Sequence, residues 1–458
     1  MVTKEKQCQS KEERKGGNKK VKKILSVLLC VALMGTLLVA CGGGGTETAT
    51  GDQESITITV MCAYAIEEPQ RTVILEYVDL FMEENPHITV EMQGTNSNDI
   101  ITSLVAQATN PTDIPTLFFT AADQVATLHD LGLTENLFDW LDDDFLSKFA
   151  YGVVESTTML NGDMGFFPYA LQPQGILYRV DRFEELGLEI PTNWDEFVDV
   201  AIALTRDSTG GDTIDEWGYS LIGINNGSGQ ARFLAYLWSN GFDIIYQDED
   251  GQWATDISMD PEFIEVFRRW TDMNNVHGVV PPGVTEIDFV MASNYFAMGI
   301  TSLMFSGGNA LGAIYDGNPD LRGYVGSFML PGDYPGTMLG TEGYSLSAHA
   351  TDAEKEAAIA LLKFLLENDE ELMFWQVSGK LPSTEAGLQA EFMQSPDQRG
   401  YIDQVNAGAR PTITFPGVAG LRSELGDAYS AVFSEEMTVE EAVARLIDRM
   451  EMLLADFN

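Results

Sequence analysis

This chain of 458 residues holds groups able to do acid–base, metal and calcium chemistry, but not in the patterns those chemistries need. Asp142 and Asp144 lie close together, as the two carboxylates of a glycoside hydrolase must. With 67 acidic residues beyond position 40, such pairs are expected without function. The four histidines (His87, His129, His277 and His349) are far apart, and neither His-x-x-x-His nor Cys-x-x-Cys occurs, so transition-metal chemistry has no support. Asp248-Glu249-Asp250-Gly251 starts like a calcium loop but lacks its downstream ligands; after Ile244-Ile245-Tyr246 it reads as a hairpin turn. Gly42 to Gly45 open no strand-to-helix turn that would cradle phosphate. No catalytic residue, cofactor or metal is expected.

What remains are rings, carboxylates and amides at strand ends, and the surrounding elements decide where they sit. Ile56, Ile58 and Val60 alternate as on a strand. A helix follows from about Pro69, with Val73, Ile74, Tyr77, Val78 and Phe81 at helical spacing until Asn85-Pro86 stops it. Ile88-Val90-Met92 makes a second strand, residues 100–108 a helix and 114–119 a third strand. This order builds a mostly parallel sheet covered by helices, an α/β fold. Side chains collect for binding at the carboxyl ends of such strands: Tyr64 and Glu67 after the first, Asn96 after the second, Thr120 and Asp123 after the third. Capping boxes start further helices at Asn193/Glu196, Thr351/Glu354 and Thr438/Glu441. Trp194 reads as the cover of a helix start and Trp270, beside Phe263, Val266 and Phe267, as core.

The N-terminus describes export. Lys19, Lys20, Lys22 and Lys23 lead into the apolar stretch 24–40, which is short of the roughly 20 residues a membrane span needs. Leu38-Val39-Ala40-Cys41-Gly42 resembles a bacterial lipoprotein signal, in which the cysteine is acylated and becomes the first mature residue. Residues 1–40 are then a signal peptide and 41–51 a flexible tether. Residues 1–20 make a long preamble, and Val21-Lys22-Lys23-Ile24 would itself be an ordinary start. Beyond the signal, 17 basic face 67 acidic residues, a formal charge of −50, which repels nucleic acid and anionic lipid alike. A covalent anchor through Cys41 suits such a chain. Only Cys62 would join Cys41 after cleavage, so no disulfide framework is available and stability must come from core. About 400 residues exceed one core and predict two domains.

Several segments resemble the extracellular solute-binding proteins of sugar-type ATP-binding-cassette importers. Phe81-Met82-Glu83-Glu84-Asn85-Pro86-His87-Ile88-Thr89-Val90 is similar to that family's first helix and second strand, and Asn110-Pro111-Thr112-Asp113-Ile114-Pro115 to its Gly-x-x-Pro-Asp-Val turn, with Asn110 for the glycine and Thr112 inside the Pro-Asp pair. Phe167-Pro168-Tyr169, Leu177-Tyr178-Arg179 and Pro191-Thr192-Asn193-Trp194-Asp195-Glu196 carry the strongest match. Phe296-Ala297-Met298-Gly299 with Met304-Phe305-Ser306-Gly307, Gly343-Tyr344-Ser345 and Gly379-Lys380-Leu381-Pro382 also fit, although the family's usual tryptophan near Phe305 is missing. The order and spacing carry the resemblance over residues 56–455.

The resemblance implies a two-lobed, periplasmic-binding-protein-like fold of type II, its lobes joined by crossover strands that form a hinge. Crossovers are expected near 165–169, 331–340 and 386–393. Lobe one would be 52–166 with 340–390, and lobe two 168–335 with 392–458. A sugar presents an apolar face and a rim of hydroxyls, which rings, carboxylates and amides recognise. The resemblance adds to the candidates Tyr169, Gln172 and Gln174 at the first crossover, Trp238 and Phe305 in lobe two, and Glu342 and Tyr344 after the second. Trp238, among Phe233, Leu234 and Leu237, reads equally as core; Gln172 is the leading candidate. The implied protein is a monomer on the outer face of the cytoplasmic membrane, capturing a carbohydrate for a permease. A peptide, polyamine or other small solute is the alternative guest, and a secreted hydrolase or an adhesive surface protein the more distant rivals.

Overall fold

The computed structural model describes residues 54–67, 70–122, 124–159, 161–211, 213–334, 336–367, 379–408, 410 and 415–458. The signal, the tether, Cys41 and Asp123 lie outside the described residues. Among the described residues no helix is long and apolar enough to cross a membrane.

In chain order the strands are β1 (Ile56–Cys62), β2 (Ile88–Gly94), β3 (Leu117–Ala121), β4 (Phe167–Leu171), β5 (Gln174–Arg179), β6 (Trp217–Ser220), β7 (Tyr246–Gln247), β8 (Trp253–Ala254), β9 (Thr301–Gly307), β10 (Val325–Phe328), β11 (Glu342–Leu346) and β12 (Leu381–Pro382). They build a six-stranded sheet in the order β12-β4-β11-β3-β1-β2 and a four-stranded sheet in the order β10-β5-β9-β6. β1 pairs in parallel with β2 and β3, as the strand–helix–strand order predicts. β11 and β4 join antiparallel, so the sheet is mixed. β2, at the edge, begins by alternating buried and exposed residues, whereas β4, β9, β10 and β11 are buried along their whole length. That is the pattern of strands covered on both faces, and it accounts for their mainly apolar and small residues, with Glu342 at the head of β11 the exception.

The helix Gln70–Glu84 buries Val73, Ile74, Val78 and Phe81. Thr438 and Glu441 form a reciprocal capping box at the start of Val439–Ala455, and Thr351 and Glu354 do the same before Asp352–Glu367. At Trp194–Leu204 the box is displaced by one residue: Asn193 accepts from the Glu196 amide, but Glu196 turns to the amide and hydroxyl of Thr192. Trp194 is buried at that start and donates from Nε1 to Ser239 at 2.7 Å, while Trp270 is core. Asp248–Gly251 turns between β7 and β8 as a hairpin, with Asp248 Oδ1 accepting from the amides of Asp250 and Gln252 at 2.9 Å.

The chain changes sheets three times: between Leu171 and Gln174, between Phe328 and Glu342, and after Pro382, where the helix Pro396–Asn406 packs on β10 and β5. The first passage falls later than the 165–169 expected, because Phe167–Leu171 is a buried strand of the larger sheet. The fully buried β4 and the apolar middle of β5 meet there with only Gln172 and Pro173 between the strands, so hydrophobic pattern has little to mark the change. The first two passages are bonded side by side. Gln172 N donates to Leu339 O at 2.8 Å and Gln174 N to Thr337 Oγ1 at 3.1 Å.

Candidate ligand-binding site

A cavity of about 260 Å³ opens where the passages meet the end of β3. Ala121, Ala122, Gln172, Met338, Gly340, Thr341, Glu342 and Arg422 line it. The larger sheet supplies Ala121 and Glu342 from the ends of β3 and β11. The first passage supplies Gln172 and the second Met338, Gly340 and Thr341. Arg422 comes from the helix Val418–Phe433, which packs against Gly227–Ser239 and Val439–Ala455. Gly340 is needed where it stands. Its φ is +61°, and a Cβ there would meet the Gln172 carbonyl oxygen at 2.6 Å.

Behind the cavity lies a polar cluster centred on Glu342, which is only 8% exposed. Gln172 Nε2 donates to Glu342 Oε2 at 2.7 Å. The other oxygen, Oε1, accepts from Tyr64 OH and pairs with the Lys380 ammonium. Lys380 Nζ also donates to Tyr64 OH at 2.8 Å and stands 4.7 Å from the centre of its ring. A buried carboxylate needs this full set of partners, since an unpaired charge there would be expensive. Tyr64 belongs to the short turn Ala63–Ala65 after β1, whose amide donates to Cys62 Sγ. Burial, and then the neighbouring Glu342 charge, push the Tyr64 hydroxyl well above its ordinary range. Tyr344 OH and Cys62 Sγ lie 3.2 Å apart, and burial raises both groups. Edge-to-face contacts from Tyr64 to Phe119, Phe119 to Tyr344 and Tyr344 to Tyr169 continue the cluster into the core.

Gln172, Glu342, Tyr64, Tyr344 and Tyr169 are thus brought together, with Gln172 and Glu342 on the cavity wall. Tyr169 and Tyr344 are buried sheet residues behind it. Thr120 lies inside β3 rather than after it, and its fully buried hydroxyl accepts from Ser345 Oγ at 3.0 Å. Glu67 and Asn96 are exposed. Phe305 is buried in β9, where its carbonyl accepts from Arg232 Nε, and Trp238 is buried in the helix Gly227–Ser239. Gln174 heads β5, and its buried Oε1 accepts no hydrogen bond among the described residues. Lys380, Thr341, Met338 and Arg422 were not among the expected site residues. Lys380 lies in a segment of the family resemblance, the one signal that could have raised it. Among the described residues no group of three His, Cys, Asp or Glu side chains could hold a metal ion.

The geometry sets an amide, a partnered carboxylate and a guanidinium around a small cavity between two sheet systems, an arrangement suited to holding a polar solute. A sequence model of the bacterial extracellular solute-binding proteins matches residues 66–371, and the chain belongs to that family. No curated protein sequence matches it. Solved structures share the two-lobed α/β fold. Maltose-bound MalE3 of T. maritima is 24% identical, with a TM-score of 0.69 over 87% of this chain and all of its own. The maltotriose-bound MalE domain of Bdellovibrio bacteriovorus is 21% identical, with a TM-score of 0.65 over the same shares. MalE of Xanthomonas citri, a sugar-binding protein, is 17% identical, with a TM-score of 0.72 over 87% of this chain and 98% of its own. The family and these neighbours are binding proteins.

Proposed function

We propose that this protein captures a carbohydrate in the cavity at the passages between its sheets and presents it to the permease of an ATP-binding-cassette importer. The observation that carries the reading is the Gln172–Glu342 pair on the cavity wall, an amide and a carboxylate presented from the first passage and from β11. Such groups match the hydroxyl rim of a sugar. Sugar-bound relatives of the same fold support the choice of guest. We take the lobes as 52–166 with 340–390 and 168–335 with 392–458, counting Phe167–Leu171 in the first because it pairs within the larger sheet. They swing about the three passages, and a guest favours the closed form only by touching both. The chain acts as a monomer, held on the outer face of the cytoplasmic membrane by acylated Cys41.

Calorimetry against a panel of oligosaccharides, peptides and polyamines tests the guest. Heat from a glycan is expected; heat from peptides or polyamines alone would move the protein to the second class of ligand. X-ray scattering with and without the bound glycan tests closure, with a smaller radius of gyration expected in its presence. Cys41→Ala should release the protein from the membrane fraction, and retention there would end the anchor model.

A further inference from the structure

Among the described residues Arg422 has no counter-ion. Its Nε is buried and donates no hydrogen bond, and among the described residues no carboxylate lies within ion-pair distance. Arg232, buried as well, also lacks a carboxylate, but carbonyl groups and Ser228 take its donors, whereas the buried Nε of Arg422 has no acceptor among the described residues. Other described cations, such as Arg179, Arg206, Arg269, Lys355 and Arg410, each sit against a carboxylate. Arg422 instead lines the cavity with Gln172, Thr341 and Glu342.

Glu342 is already committed. One oxygen takes Lys380 and Tyr64 and the other takes Gln172. Lys380 cancels its charge, so the cavity keeps the charge of Arg422 inside a strongly acidic protein. A half-buried guanidinium without a partner is costly, and a planar fork of donors fits a carboxylate with two parallel bonds. Arg422 and Glu342 also belong to different parts of the fold, the helix Val418–Phe433 and β11, so a guest spanning them would link the two.

We propose that the guest is an acidic saccharide, a sugar carrying a carboxylate that Arg422 holds while the Gln172 amide takes a hydroxyl. This rests on the reading of the cavity as a carbohydrate site and adds the class of sugar.

The test is calorimetry of the full chain with oligouronates built on galacturonate, glucuronate and mannuronate, each beside its carboxyl-reduced neutral counterpart, and with a sulfated oligogalactan. At least one oligouronate should bind, and its reduced counterpart should bind about ten- to a hundredfold more weakly, as the loss of a charge-assisted pair requires. Arg422→Gln should erase that preference while thermal unfolding stays near wild type, and Arg422→Lys should restore part of it. Raising the salt should weaken the uronate and not the neutral sugar. Equal binding of acid and reduced forms, or an equal loss of both in Arg422→Gln, overturns the proposal and leaves the carbohydrate reading standing. Binding of the sulfated sugar alone overturns the carboxylate. Silence from every glycan overturns both readings.

Discussion

Gln172 and Glu342, 170 residues apart in the chain, meet at 2.7 Å, and through them the first passage between the sheets is tied to the head of β11. The bond does not hold the fold together. Glu342 keeps Lys380 and Tyr64 when Gln172 is lost, and the Gln172 backbone keeps its bond to Leu339. Gln172→Ala should therefore weaken ligand by about 0.5–1.5 kcal/mol, as for a hydrogen bond between neutral groups. Unfolding in urea should move little. Unchanged affinity by calorimetry would take Gln172 out of the site.

Lys380 carries the opposite expectation. Its side chain is 14% exposed and that of Glu342 10%, so the pair is largely removed from water. Lys380→Ala leaves the Glu342 charge with only Tyr64 and Gln172, and should destabilise the protein by about 3–5 kcal/mol. Adding Glu342→Gln removes the stranded charge and should recover much of that loss. Urea unfolding of the wild type, both single variants and the double variant measures it. Additive losses would mean that the two groups do not act as a pair.

Local signals were legible and distant ones were not. Thr438 and Glu441 form their capping box as three-residue spacing requires, and Trp270 is buried on the face its helical spacing assigned. Asn193 shows the limit of such a rule, since Glu196 found Thr192 instead. Gln172 and Glu342 could be singled out by resemblance, but the meeting of Lys380 with Tyr64 across 316 residues leaves no periodic trace. Arg422 is one polar position on a helix whose buried face holds Leu421 and Leu425, and nothing local says which polar position faces a cavity. Thr120 was misplaced because a buried strand has no alternation to mark its end, so β3 ran on to Ala121.

Gly340 should be intolerant of any side chain. Alanine would have to adopt a φ near +61°, costing about 1–2 kcal/mol for an L-residue. Its Cβ would also press on a backbone carbonyl, that of Gln172, which cannot rotate aside as a side chain could. Gly340→Ala should lower stability by at least that amount and, by pushing the two passages apart, weaken ligand as well. Thermal unfolding and calorimetry on the same preparation read both. Wild-type values in each would show that the passages have room to separate.

Cys62 should be a silent thiol. It is fully buried, and burial pushes it up from 9.0 to about 11 even though Tyr344 and the Tyr64 amide favour the thiolate. At pH 8 a thiol-specific disulfide reagent should not label it in a chain whose other three cysteines are serine, until denaturant opens the core. The same pKa sets a sign for stability. The folded state prefers the protonated thiol, so the contribution is complete below pH 9 and is lost as pH rises from about 9 through 11. Across that range the unfolding midpoint of the wild type should fall faster than that of Cys62→Ala, which has no thiol to ionise. Parallel alkaline slopes, or rapid labelling of the native protein at pH 8, would show that water and thiolate already reach this end of β1.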